Sequence, residues 1–226
     1  MSSWPRVVLL GDSITQYSLQ PNGWGTYVAQ QVQRKCDLIN RGFSGYNTDN
    51  IVQFLSKLVD AKLVQNVAFV TIFLGANDSV LPGSYSNQHV PVDRFETNLF
   101  KIVEHFKSLG VSSDKIILIA PPPVEAELRA KHMMEKGNGS VCDRSNDTSI
   151  EYAKACVKVA NSKKCRVIDL FTLMINKHLP TYLNDGLHFS DEGNSLLASE
   201  LSTHVEELTK ELEMNLPDWK DLCGVE

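Results

Sequence analysis

Along this chain, short uninterrupted apolar runs alternate with longer stretches in which hydrophobic residues recur every three or four positions. The runs at 7–10, 38–39 with its flanks, 67–74, 116–120 and 167–170 have strand length. The third is apolar almost throughout, as a strand buried on both faces should be. Between them, Trp24, Val28, Gln31 and Val32 begin a helix, Ile51, Phe54, Leu55 and Leu58 mark a second, and Phe95, Leu99, Ile102, Val103 and Phe106 mark a third that stops at Gly110. Ile150, Ala153, Val157 and Ala160 give a fourth. The clearest helix comes last: Leu197, Leu201, Val205, Leu208 and Leu212 step by three or four after a Ser190 cap, with Asp191 and Glu192 in its first turn. Strand and helix in alternation predict an α/β chain with a five-stranded parallel sheet and helices on both faces.

The length of 226 residues predicts a single domain with a core over about 6–212 and a tail at 213–226, and leaves room for three layers. Two stretches break the pattern. Residues 121–148 open with three prolines and hold Gly137-Asn-Gly139, which reads as an excursion of loops and short helix beside the sheet, forming part of a substrate-facing wall. The tail carries Trp219, too apolar for a free end, so it is expected either to fold back or to meet a second copy of the chain in a homodimer.

Composition removes several classes of function. Hydrophobic residues make up 42% and charged residues 22%, which fits a globular chain. The formal net charge is −5, and no stripe of Lys or Arg could neutralise phosphates, which argues against nucleic acid as a partner. Residues 1–6 lead into only four apolar residues before Gly11, which does not resemble a secretory leader, and no apolar run reaches the length of a membrane span. Cys36, Cys142, Cys156, Cys165 and Cys223 are odd in number and contain no Cys-x-x-Cys pair. The expected setting is therefore a reducing cytoplasm without a stable membrane anchor. In that setting the sequons at Asn77, Asn138 and Asn146 read as chance matches. His89, His105, His132, His178 and His204 show no metal-ligand spacing, so no metal site is expected.

Chemistry concentrates where ligands bind in open α/β sheets, beyond the carboxyl ends of the strands. Gly11-Asp12-Ser13 follows the first run, Arg41-Gly-Phe-Ser-Gly45 the second, Gly75-Ala-Asn77-Asp78 the third, and Asp185-Gly186-Leu187-His188 precedes the last helix. A serine hydroxyl needs a base within hydrogen-bond reach and a third group to orient that base. Ser13, His188 and Asp185 supply those side chains, and Gly186 permits a turn that aims carboxylate and imidazole at one point. Singly, Ser13 reads as a helix cap, Asp185-Gly186 as a turn, Gly45 as a turn glycine and Asn77-Asp78 as an Asx turn. Their joint placement on one sheet edge favours the hydrolytic reading. Asp12 is read as holding the Ser13 loop through backbone hydrogen bonds. Trp24, Phe43, Tyr46 and His89 are candidates for lining a pocket, while Met133 and Met134 read as packing.

In these four blocks the chain resembles the GDSL or SGNH hydrolases, over residues 7–200. Gly11-Asp-Ser13-Ile-Thr15, Asn40 to Thr48, Gly75-Ala-Asn77-Asp78-Ser79 and Asp185-Gly-Leu-His188 stand in the family's order. Trp24-Gly25, Gly42-Phe-Ser-Gly-Tyr-Asn47 and His89-Val-Pro91 resemble the isoamyl acetate-hydrolysing esterase homologues within it. The resemblance implies a three-layer α/β/α flavodoxin-like fold and a cofactor-free serine esterase for small esters with short acyl chains, acetate foremost. It further implies Ser13 as nucleophile, His188 as base, Asp185 as its orienter, and an oxyanion hole from the Ser13 and Gly45 backbone N–H groups and the Asn77 amide. A nucleophile elbow of the Gly-x-Ser-x-Gly kind is absent, since Thr15 stands where its second glycine would. The same groups would equally serve a thioesterase or lysophospholipase, and a catalytically silent scaffold could keep the fold.

Overall fold

The structure is a computed structural model that describes residues 4–224. The leader reading of residues 1–3 and the last two residues of the tail lie outside the described residues. Five strands, β1 (Arg6–Gly11), β2 (Asp37–Gly42), β3 (Val67–Phe73), β4 (Ile116–Ile119) and β5 (Arg166–Ile168), form one sheet in the order β2-β1-β3-β4-β5, every pair parallel. The helices in chain order are α1 (Ser13–Gln16), α2 (Trp24–Gln31), α3 (Thr48–Leu58), α4 (Ala61–Val64), α5 (Val92–Ser108), α6 (Ala126–Glu135), α7 (Asn146–Lys163), α8 (Leu170–Met174), α9 (Leu179–Tyr182), α10 (Asp191–Thr209) and α11 (Trp219–Cys223).

The predicted α/β architecture is present, and strand periodicity explains its layers. Val8 and Leu10 on β1 point into one core with α3, α5 and α7, while Val7 and Leu9 point into the other with α2 and α10. Central β3 is buried at every position, as its apolar run requires. Its neighbour β1 connects to β2 on one side, and the chain then returns past β1 to make β3 on the other. That reversal opens a crevice between the carboxyl ends of β1 and β3.

The fifth strand ends at Ile168 rather than at the expected position 170. Asp169 is the reason: its side chain accepts from the Thr172 backbone N–H at 3.1 Å and starts α8, so Leu170 is helical. At the far end, Ser190 caps α10 as expected, accepting from Gly193 N at 3.1 Å. The tail folds back. The Arg34 guanidinium takes the carbonyls of Leu216 and Pro217 at 2.6 and 2.9 Å, and Asn215 bonds the carbonyls of Arg34 and Lys35. Trp219 itself remains 60% exposed. All five cysteines are free, and among the described residues no helix is long and apolar enough to cross a membrane.

Leu201 lies fully buried on α10 in the second core. Leu201→Ala is expected to lower stability in urea denaturation by about 2–5 kcal/mol, with turnover at saturating substrate unchanged.

Candidate active site

Gly11 ends β1 in register with Phe73 of β3. A Cβ there would lie 2.5 Å from the Phe73 carbonyl oxygen and 2.1 Å from Thr15 Oγ1, so only glycine lets the chain turn this tightly. Asp12 then caps α1, its Oδ1 accepting from Ile14 N at 2.9 Å, which is the loop-holding role expected of it. From beneath, the Trp24 indole donates to the Ile14 carbonyl at 3.0 Å. Ser13 thus stands at the mouth of the crevice, 5% exposed, on a turn braced from two sides.

The structure brings Ser13, His188 and Asp185 into one chain of hydrogen bonds. Ser13 Oγ lies 2.9 Å from His188 Nε2, and His188 Nδ1 lies 2.8 Å from Asp185 Oδ2. A carboxylate only accepts, so Nδ1 carries the proton and Nε2 turns its lone pair toward the serine. The other oxygen, Asp185 Oδ1, accepts from the backbone of Leu187 at 3.0 Å and of His188 at 2.7 Å. Burial alone would raise the Asp185 carboxyl, but the hydrogen bonds and charge of His188 and these backbone donors hold it well below the ordinary range. Gly186 has φ +81, and a Cβ on it would strike the Glu125 carbonyl and Arg129 N at 2.3 and 2.4 Å. The glycine therefore serves the turn and the seating of α6 together.

The 121–148 excursion does something other than expected. Residues from it do not line the cleft beside Ser13; they stand behind the acid loop. Glu125 N donates to the Gly186 carbonyl at 2.9 Å, while Arg129 Nη1 and His132 Nε2 approach Asp185 Oδ2 to 3.8 and 3.7 Å. Arg129 also pairs with Asp143, which in turn pairs with Arg144 at 2.7 Å.

Gly45 follows β2 with φ +82, where a Cβ would meet only Gln88 Nε2 at 3.4 Å. Backbone conformation, not space, favours glycine there. Its loop is tied to the serine turn through Gln16 Oε1, which accepts from Ser44 N at 2.7 Å. Asn77, beyond β3, is 4% exposed and donates from Nδ2 to the Tyr46 carbonyl at 2.9 Å, while its Oδ1 faces Arg144 Nη2 at 3.3 Å. Beside it, Asp78 Oδ1 accepts from Thr48 N at 2.9 Å and from the Thr48 hydroxyl, pinning the start of α3 to the same edge.

The pocket expectation needs correction. Trp24 is fully buried, tilted against Phe73 in the second core, so it supports the serine turn rather than facing a ligand. Phe43 and Tyr46 stack at 5.2 Å against the first core, and His89 spends Nδ1 on the Val80 carbonyl at 2.7 Å. The cleft beside Ser13 and His188, about 190 Å³, is lined instead by Tyr17, Gln20, Asn184, Phe189 and Asn194 among others. Tyr17 packs edge-on to the His188 ring at 6.2 Å. Met133 is buried, as its packing role requires, but Met134 is 61% exposed. Among the described residues, no group of three or more His, Cys, Asp or Glu side chains is placed to hold a metal ion.

Asp12 and Asp78 are fully buried, each with one carboxyl oxygen lacking a partner among the described residues. Burial pushes Asp12 up to about 6 against the Ile14 hydrogen bond and the charges of His188 and Arg144. Burial pushes Asp78 up to about 7 against the Thr48 hydrogen bonds, with Asp12 adding repulsion. Between the ordinary 3.8 and about 7, folded Asp78 keeps a proton that the unfolded chain has lost, so its contribution to stability falls as pH rises through that window. Asp78→Asn is therefore expected to gain stability relative to the parent as urea midpoints are followed from pH 4 to 8. Parallel curves for the two proteins would contradict this.

A model of the GDSL-like lipase/acylhydrolase family matches residues 9–196. The chain is 43% identical to the isoamyl acetate-hydrolyzing esterase 1 homolog of Rattus norvegicus over 97% of its own length and 88% of that protein. It is 40% identical to the homolog of Homo sapiens, covering 97% and 89%. Among solved structures it is similar to a lipase/acylhydrolase from Enterococcus faecalis, with a TM-score of 0.69 and 27% identity over 94% of this chain and 100% of that one.

Proposed function

The chain belongs to the GDSL-like lipase/acylhydrolase family and is an ester-bond hydrolase, and within that class we propose a serine esterase for small esters with short acyl groups, acetate foremost. The observation that carries the reading is the unbroken run of hydrogen bonds from Asp185 through His188 to Ser13.

Ser13 Oγ attacks the ester carbonyl carbon while His188 Nε2 takes the serine proton. The carbonyl oxygen becomes an oxyanion held by the Ser13 and Gly45 backbone N–H groups and by Asn77 Nδ2. When the carbon–alkoxy bond breaks, His188 returns its proton to the departing alcohol and an acyl-Ser13 remains. Water, deprotonated by the same imidazole, attacks that ester and releases the carboxylic acid and the free serine. Asp185 keeps the imidazole in the tautomer that accepts at Nε2 and stabilises its cationic form.

Cleft size supports a small substrate. The lobe beside Ser13, His188 and Tyr17 holds about 190 Å³, against the roughly 300–1,000 Å³ of sites that bury drug-sized ligands. The names of the relatives at 40–43% identity point the same way.

Turnover on p-nitrophenyl esters is expected to be highest for acetate and to decline steadily as the acyl chain lengthens. Maximal turnover on long-chain thioesters or lysophospholipids would overturn the short-ester assignment. A fluorophosphonate probe should label Ser13 in the folded protein, and Ser13→Ala should abolish both labelling and turnover. Asn77→Ala is expected to lower kcat by about 10²–10³-fold with KM little changed, the signature of a donor used in the transition state.

A further inference from the structure

Arg144 is the most deeply buried cation close to the site, its side chain 2% exposed, and the esterase scheme makes no use of it. Burying a positive charge is costly unless it is paired and its donors are matched. Three of its five N–H donors are matched in a specific way. Nε gives to the Ala76 carbonyl at 2.7 Å, Nη1 to Asp143 Oδ1 at 2.7 Å, and Nη2 to Asn77 Oδ1 at 3.3 Å. The guanidinium thus grips both the backbone before Asn77 and the Asn77 side chain itself.

We propose that Arg144 is a positioning residue for the oxyanion hole, which sets the orientation of the Asn77 amide and strengthens its N–H donor. This rests on the reading of Asn77 as an oxyanion donor. An asparagine amide can flip, exchanging its donor and acceptor ends, and only one orientation serves an oxyanion. Arg144 has donors and no acceptor, so it takes Oδ1 and repels the NH₂ end. On the opposite side the Tyr46 carbonyl takes one Nδ2 hydrogen at 2.9 Å and would repel Oδ1. Both neighbours select the same orientation. One Nδ2 hydrogen is thereby used to hold the side chain, and the second is left to meet the substrate oxygen. A cation on the amide oxygen also withdraws electron density from the nitrogen, so the remaining N–H donates more strongly.

The support continues away from the site. Asp143, 4% exposed at its side chain, is held below its ordinary range by Arg129 and Arg144 despite burial, and so remains charged opposite both guanidiniums. Arg129 in turn approaches the Asp185 carboxylate. The oxyanion donor and the triad carboxylate are therefore backed by one network of charge, contributed by the segment that the sequence shows only as an irregular excursion.

A kinetic cycle tests this. Arg144→Met is expected to lower kcat on p-nitrophenyl acetate about tenfold or more with KM little changed, a fraction of the roughly 10²–10³-fold cost of losing a donor outright. In an Asn77→Ala background the same substitution should cost less than about twofold, because the group it acts through is gone. Equal losses in both backgrounds, or a loss expressed in KM, would overturn the proposal. If Arg144→Met does not fold, Arg144→Lys carries the cycle, since it keeps the charge opposite Asp143 but cannot reach all three acceptors. If neither folds, nitrogen-15 NMR of the wild-type Asn77 side chain decides: one non-exchanging amide pair supports the clamp, and exchange between flipped forms refutes it. Should Asn77→Ala alone leave kcat intact, the oxyanion reading of Asn77 fails first, an outcome distinct from additivity in the cycle.

Discussion

The ladder between β1 and β3 is the constraint from which the site follows. It sets Gly11 opposite Phe73, so the two chains leave the sheet side by side, one into Ser13 and the other toward Asn77. Because β1 has β2 on its other side, the connections diverge to opposite faces and leave that edge uncovered. Both strands are buried along nearly their whole length, so the register cannot slip without moving apolar side chains from one core into the other. The separation of the serine turn from the asparagine turn is thus maintained by the hydrophobic cores and not by the loops themselves.

Much of this was legible in the chain. The five apolar runs correspond to the five strands, and four polar, glycine-bearing segments lie at one edge of the sheet. Period and local turn chemistry sufficed because each feature depends on near neighbours: Gly186 on its own φ, Asp12 on the next backbone N–H, Ser190 on the first turn of α10. What was not legible depended on packing across the fold. Trp24 stands next to the first block in sequence, which suggested a pocket wall, yet the face of α2 that carries it turns into the core. Tyr17 lies only four residues past Ser13, but its place beside His188 depends on a segment far along the chain. Arg129, Asp143 and Arg144 form no motif; only the fold shows that their charges meet.

Charge near the site is arranged in two opposite ways. Asp143 and Asp185 are surrounded by donors and cations, which favour the ionised forms. Asp12 and Asp78, next to the serine and the asparagine, are buried with an oxygen apiece left without a partner among the described residues, which raises both carboxyls. Asp143 and Asp185 are thus kept as anions at and behind the acid loop, while burial makes ionisation of Asp12 and Asp78 harder beneath the serine and asparagine turns.

Gly186 has a consequence for how this scaffold can change. The space its side chain would fill is occupied by the backbone of Glu125 and Arg129, so the acid loop and α6 cannot be remodelled separately. Other residues that line the cleft are tied down as well: Gln20 N donates to the Tyr17 carbonyl at 3.0 Å, and Asn184 bonds the carbonyls of His188 and Phe189 at 2.8 and 3.0 Å. A change in the backbone of α6 is therefore passed directly to the loop that carries Asp185 and His188.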